Sequence, residues 1–261
     1  MEIRTFPNEV FARLAPDVYF KRHLEKHTRP TGRKYLERRP INVKGDDEHI
    51  IKGSLGSAVV NSGNASVICG ITAGLTNFIG EGGIYANVEI PRGSNSSVPS
   101  GEEQVTTMAI HRLIESALIP QANFFVSEQQ ELCLRASITV LSRTGPALDL
   151  IWECLVAALR NTRVPVFEED ERTLNMVATE DSRPLELPST LAEHIHTYGF
   201  VGDEVFADID GPIEEEEIID RVSIARTADN VIMAVSLDSP NGCSLSTMER
   251  ILSHDAATSH Q

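Results

Sequence analysis

Residues 142–149, Ser142-Arg143-Thr144-Gly145-Pro146-Ala147-Leu148-Asp149, form a turn that opens a helical pattern. A helix N-terminus presents free backbone N–H groups and the positive end of a dipole, so such a turn is a natural seat for phosphate. Holding a phosphate beside a second phosphate also calls for cations or several well-aimed donors. Here Pro146 has no N–H to give, Ala147 has no hydroxyl, Leu148 is apolar, and Asp149 adds repulsion where the anion would sit. The segment has the outline of a phosphate site without its binding groups.

His194 and His196 alternate along a strand pattern, share a face and could in principle hold a metal together. No third ligand accompanies them, and surface histidines are the better reading. Gly80-Glu81-Gly82-Gly83 lacks the lysine and strand-to-helix context of a phosphate loop. Cys69, Cys133, Cys154 and Cys243 are far apart, with no C-x-x-C pair. That spacing argues against a zinc site or disulfide framework and for reduced thiols, with Cys69 and Cys154 in the core. No cofactor is implied.

The 261 residues can bury a sizeable core, as one large domain or two stacked halves. The start has no apolar signal-peptide region, and the longest aliphatic run, Leu155 to Leu159, is too short to span a membrane. The formal charge of −15 is unevenly spread: residues 1–50 carry 11 Lys and Arg against 8 Asp and Glu, the remainder 12 against 30. Such a division suits one subunit among several, with a basic edge facing one partner and acidic surfaces facing others.

A short helix capped by Asp17 is expected over 17–27, and Arg29-Pro30-Thr31-Gly32-Arg33 breaks it. A strand over 40–52 turns at Asp46-Asp47-Glu48, and Ser57–Asn61 and Ser66–Thr72 pair around a Gly63-Asn64 turn. A flexible loop over 76–84 and a strand over 85–91 follow. A helix from Glu102 to about Leu118 has Val105, Met108, Ala109, Leu113 and Ala117 on its apolar spacing. Strands are expected at 124–126, 132–134 and 137–141, then a helix over 147–160 with Leu148, Ile151, Leu155, Ala158 and Leu159 on one face. An acidic, irregular stretch from Pro165 to Pro188 marks the junction of the halves. Strands at 195–200, 205–209, 220–225 and 231–237 precede a helix over 244–252. The fold class is α+β with mixed sheets. Its divisions are an N-terminal helix and arm (1–35), a first half (36–165), an acidic connection (166–188), a second half (189–253) and a disordered tail (254–261).

Residues 56–69, Gly56-Ser57-Ala58-Val59-Val60-Asn61-Ser62-Gly63-Asn64-Ala65-Ser66-Val67-Ile68-Cys69, resemble the opening hairpin of the RNase PH family. Arg29-Pro30-Thr31-Gly32-Arg33 resembles that family's R-x-D-G-R motif, with Thr31 in the Asp place. Ile90-Pro91-Arg92-Gly93 resembles its L-P-R loop, and residues 107–114 its first helix. Gly101-Glu102-Glu103 and residues 210–216, Asp210-Gly211-Pro212-Ile213-Glu214-Glu215-Glu216, look like the non-catalytic ring subunits of the eukaryotic RNA exosome. The similarity covers roughly residues 20–252.

The resemblance implies two βα halves packed on helices and a place in a six-membered ring that threads RNA for 3′-to-5′ processing and decay. In active members a Gly-Gly-Thr-Arg turn, a second arginine and an Asp pair six residues apart hold phosphate and RNA. In register, Pro146, Ala147 and Leu148 replace Gly, Thr and Arg, and Thr106 replaces the other arginine. Glu214 and Asp220 stand at the Asp pair. Asp220 is matched and is readable as a general acid or metal ligand; the preferred reading makes Glu214–Glu217 a solvated acidic run leading into a strand. Arg92 and Arg33 are the candidate RNA contacts, with Ser97 where a further loop arginine would stand. The basic segment Arg29, Arg33, Lys34, Arg38 and Arg39 touches RNA or a neighbour, or is a solvated face. The implied partners are opposite-branch RNase PH-like ring subunits, cap proteins, RNA and an associated hydrolytic nuclease. The implied location is nucleus and nucleolus, with cytoplasm. The alternative is an active phosphate-dependent 3′-exoribonuclease.

Overall fold

The computed structural model describes residues 7–45, 50–78, 80–91, 101–116, 124–127, 130–169, 176–188 and 191–258. Two helices lead: α1 (Asn8–Leu14) and α2 (Pro16–Glu25). Pro16, with its preset φ, occupies the first turn of α2. The cap position belongs to Ala15, which makes no side-chain cap bond, so the expected Asp17 cap is replaced by Asp17 in the first turn.

The first half is a six-stranded sheet in the order β1-β2-β3-β6-β4, with β5 also pairing β6. Its strands are β1 (Asn42–Lys44), β2 (Gly56–Ser62), β3 (Ala65–Thr76), β4 (Gly83–Glu89), β5 (Phe125–Ser127) and β6 (Gln130–Ser142). The hairpin β2–β3 closes at Ser62↔Ala65. Gly63 has φ +56°, which only glycine adopts without steric cost. The expected strand over 40–52 shortens to β1, and the Asp46-Asp47-Glu48 turn lies outside the described residues. The two strands expected at 132–134 and 137–141 are one, β6, which pairs antiparallel with β3 and parallel with β4. The glycine loop before β4 is held: the Glu131 carboxylate accepts N–H bonds from Gly80 (2.9 Å) and Gly82 (2.7 Å).

Helix α4 (Leu148–Arg160) is the core element, because apolar residues surround it: Leu150, Ile151, Trp152, Cys154, Leu155, Val156, Ala158 and Leu159 are all buried. It packs on β2, β3 and β9 (His194–Val201), so one helix joins the two halves. Trp152 donates its indole N–H to Ala192 O at 3.0 Å. The Cys154 thiol contacts Ala58 O at 3.4 Å, and burial pushes it up to about 12. Cys69 and Cys154 are both buried.

Helix α3 (Glu102–Ser116) does not pack as its spacing predicts. Ile110 and Ile114 are its buried residues, whereas Val105 is 69% and Met108 55% exposed. Its inner side uses polar anchors instead: Ile90 N donates to Glu103 Oε1 at 2.9 Å, and Val88 N to the Thr107 hydroxyl at 3.4 Å. Ala117 lies outside the described residues.

The stretch expected to be irregular contains an antiparallel hairpin, β7 (Arg163–Glu169) and β8 (Met176–Pro184). The second sheet has the order β10-β9-β11-β12, with β10 (Glu204–Ala207), β11 (Asp220–Arg226) and β12 (Ile232–Asp238). Helix α5 (Pro212–Glu217) precedes β11, and α6 (Leu245–Thr258) closes the fold. The tail expected to be disordered from 254 is helical to Thr258 because Asp255 is fully buried and anchored. Its carboxylate accepts from Arg226 Nε and from the Tyr198 hydroxyl at 3.2 Å.

Candidate functional site

The turn between β6 and α4 is fixed from the second half. A Cβ at Gly145 would meet Ile209 O at 2.3 Å, so only glycine lets the two backbones approach. Gly211 N donates to Thr144 O, and Arg39 Nη1 to the Thr144 hydroxyl at 2.7 Å. This packing puts Pro146, Ala147 and Leu148 along one wall of a cleft of about 950 Å³, with Thr106 of α3 opposite. The two positions where arginines were missing, Thr106 and Leu148, therefore do face one space.

Asp149 does not enter that cleft. Its carboxylate turns to the other side of α4, where Thr197 N donates to it at 2.8 Å and the Thr197 hydroxyl at 2.5 Å. Arg38 stands 3.8 Å away. Burial pushes the Asp149 carboxyl up, against the pull of Arg38 and Thr197. It lines a separate cavity of about 320 Å³ with Arg38, His194 and His196. The expected repulsion by Asp149 at the phosphate seat is thus withdrawn.

The acidic pair also separates. Glu214 is not part of a solvated run: it is 1% exposed, as is Arg29. Arg29 holds it through Nε at 3.0 Å and through Nη2. The Thr31 hydroxyl and Asp210 N each donate to it at 3.1 Å. Arg29 Nη1 and Nη2 also donate to Ala207 O (2.8 Å) and Asp208 O (2.9 Å). Asp220 accepts from the Ser239 hydroxyl (2.8 Å), Asn241 N (3.2 Å) and Asn241 Nδ2 (2.9 Å). Burial raises its pKa, but these bonds outweigh burial and hold it below the usual carboxylate value. Strand parity explains the outcome: Arg221 and Ser223 face the cleft from β11, and Asp220 takes the opposite face. Neither carboxylate lines the cleft.

Other carboxylates do. Glu102, Glu215, Glu216 and Asp238 line it, and Arg143 bridges Glu102 and Glu215 across its end. Burial pushes the Glu102 carboxyl up, against the opposing pull of Arg143. Arg221 is the one cation lining the cleft among the described residues. It donates Nε to Ile218 O at 3.0 Å and Nη2 to Glu215 O at 2.7 Å. Sequence reasoning missed this group. The available signal was Arg143 inside the turn segment and Glu102 at the start of α3.

Arg92 lies outside the described residues. Arg33, the second RNA-contact candidate, is turned inward. It is 14% exposed and donates to Asp208 Oδ2 at 2.7 Å and Asp208 O at 2.8 Å. Arg39 grips the same Asp208 carboxylate at 2.8 and 2.6 Å and Asp210 at 2.9 Å. Burial raises the Asp208 pKa, but the hydrogen bonds and charge of Arg39, with Arg33, hold it below the carboxylate range. Arg38 lies over the Tyr198 ring at 5.1 Å. Of the basic segment, only Lys34 is exposed; Arg29 is buried, and Arg33, Arg38 and Arg39 are partly buried.

His194 and His196 stack at 6.2 Å with 9° between their planes. His194 pairs with Glu153 at 2.5 Å, and His196, only 15% exposed, pairs with Asp255 at 2.6 Å. His196 is thus a partly buried structural residue, not a surface one. No cluster of three metal-ligating side chains occurs among the described residues.

Residues 37–165 match the model of the 3' exoribonuclease family, domain 1. The chain is 29% identical over 226 residues to the exosome complex component rrp43 of Schizosaccharomyces pombe, covering 82% of this chain and 80% of that protein. It is 26% identical over 243 residues to the exosome complex component Rrp42 of Pyrococcus furiosus, covering 87% and 83%. Among solved structures it resembles an archaeal exosome core (TM-score 0.76, 20% identity, 98% of this chain and 97% of that one). It also resembles the Archaeoglobus fulgidus exosome with RNA bound to the active site (TM-score 0.77, 19% identity, 96% and 97%).

Proposed function

We propose that this chain, which carries an RNase PH domain at residues 37–165 and the RNase PH-like fold along its length, is a catalytically inert ring subunit of an RNA exosome. The observation that carries the inert reading is the cleft itself. Phosphorolysis needs an inorganic phosphate oxygen brought in line with the terminal phosphodiester, two anionic groups held side by side. The cleft offers them Thr106, Pro146, Ala147 and Leu148, with four carboxylates around them and one arginine already engaged by backbone carbonyls. Each charge-assisted bond lost costs about 1.5–3 kcal/mol, and two missing arginines remove several such bonds. Asp220, the matched acid, is committed to Ser239 and Asn241 on the other face of β11.

In this reading the chain supports RNA processing and turnover by closing the ring rather than by cutting. Its partners are RNase PH-like subunits of the opposite branch, cap proteins, threaded RNA and a hydrolytic nuclease that supplies the chemistry. It works in nucleus and nucleolus, and in the cytoplasm. Purified chain incubated with single-stranded RNA and inorganic phosphate tests the inert half of the proposal. No nucleoside diphosphate is expected; its release, abolished by Asp220→Ala, would overturn it.

A further inference from the structure

The cleft that fails a phosphate has the makings of a different recognition surface. Its floor is apolar: Val105, Ala109 and Leu148 line it, with Val105 69% exposed. Its rim is acidic, and the four carboxylates are not equivalent. Glu102 and Glu215 are tied to each other through Arg143. Glu216 and Asp238 are exposed, and Asp238 stands across from Arg221, whose charge it favours. An apolar floor ringed by four carboxylates against two arginines, Arg143 and Arg221, disfavours RNA, whose phosphates would meet an excess of like charge. At about 950 Å³ the space lies at the upper end of the ~300–1,000 Å³ range of ligand-holding clefts.

We propose that this cleft docks an extended basic peptide segment of a partner protein. One large apolar side chain rests on the floor formed by Val105, Ala109 and Leu148, and flanking lysines or arginines face Glu216 and Asp238. The occupant follows from charge complementarity: the apolar anchor supplies affinity by leaving water, and the rim selects a basic over an acidic segment. The Glu102–Arg143–Glu215 bridge closes one end and fixes the spacing between α3 and α5. This goes beyond ring membership and rests on the cleft alone.

The test uses the full chain and a fluorescein-labelled peptide, Lys-Arg-Ser-Phe-Ser-Lys-Arg, read by fluorescence anisotropy. Its counterpart with Ser for Phe and a single-stranded RNA of similar length are the comparison probes. The Phe peptide is expected to bind about tenfold more tightly than either. Glu216→Lys with Asp238→Lys is expected to weaken it about tenfold, whereas Glu168→Lys with Glu169→Lys, on the remote hairpin strand β7, leaves it unchanged. All four side chains lie outside the buried core, so folding is retained, and Val105→Ser gives a second readout by removing the preference for Phe over Ser. Equal binding of the two peptides, equal loss in both charge variants, or tighter binding of RNA would overturn the proposal.

Discussion

Arg29 and Glu214, each 1% exposed and 185 residues apart, tie the N-terminal arm to α5 by a buried ion pair. Such a pair adds little net stability over an apolar substitute, yet removing one partner strands the other charge away from water. Glu214→Ala is therefore expected to cost about 3–5 kcal/mol, read as a lower urea midpoint at unchanged slope. A loss under ~1 kcal/mol would return Glu214 to the solvated run. Acid sensitivity belongs to the same scale. Asp208 and Asp255 are held below their usual value of 3.8, so at acid pH the folded chain binds fewer protons than the unfolded one. Their stabilisation is complete above about pH 4 and fades as pH falls through the lower folded values. A urea-midpoint series is expected to show that decline, flattened and lowered at neutral pH in Asp208→Asn; parallel curves would contradict it. The substitutions Thr106 and Leu148 were legible because flanking motifs fixed their register. The orientation of Asp149 and Asp220 was not, since it depends on Thr197 and Asn241, which come from distant strands and turns.

The β6–α4 turn is the element on which the cleft depends. Gly145 is required by the Ile209 carbonyl rather than by a strained φ, and that carbonyl is backbone that cannot swing away. Gly145→Ala is expected to destabilise the chain by about 1–3 kcal/mol, measured by thermal melting. An unchanged melting temperature would mean the two segments are not in contact. Elements with one strong local signal were readable: the β2–β3 hairpin through Gly63-Asn64, and α4 through its apolar run. Helix α3 was misread because Glu103 and Thr107 pack inward to bond backbone, leaving Val105 and Met108 outside. The β7–β8 hairpin gave no alternation because most of its side chains are exposed. Helix α6 runs past its expected end where Asp255 is buried and where Asn230 donates to Ala256 O.

At the scale of the whole molecule, the N-terminal segment is basic on its outside: Arg13, Lys21, Arg22, Lys26, Lys34 and Lys44 are exposed. Arg29, Arg33 and Arg39 instead turn against Glu214, Asp208 and Asp210, an acidic loop within the chain. The chain as a whole carries −15 and repels its own copies. The outermost strands carry exposed apolar residues: Val43 on β1, and Ile232, Val235 and Leu237 on β12. Exposed apolar edge strands call for a cover. A less acidic neighbour of the same fold would meet both conditions, in keeping with the heteromeric ring proposed above. Among the described residues no helix is long and apolar enough to cross a membrane. Native mass spectrometry of the tagged chain, co-expressed with opposite-branch RNase PH-like subunits, tests this most directly. The expected result is a discrete hetero-oligomer containing this chain, with no lasting homo-oligomer or free monomer. A stable, monodisperse monomer that fails to join the other subunits on mixing would contradict the account.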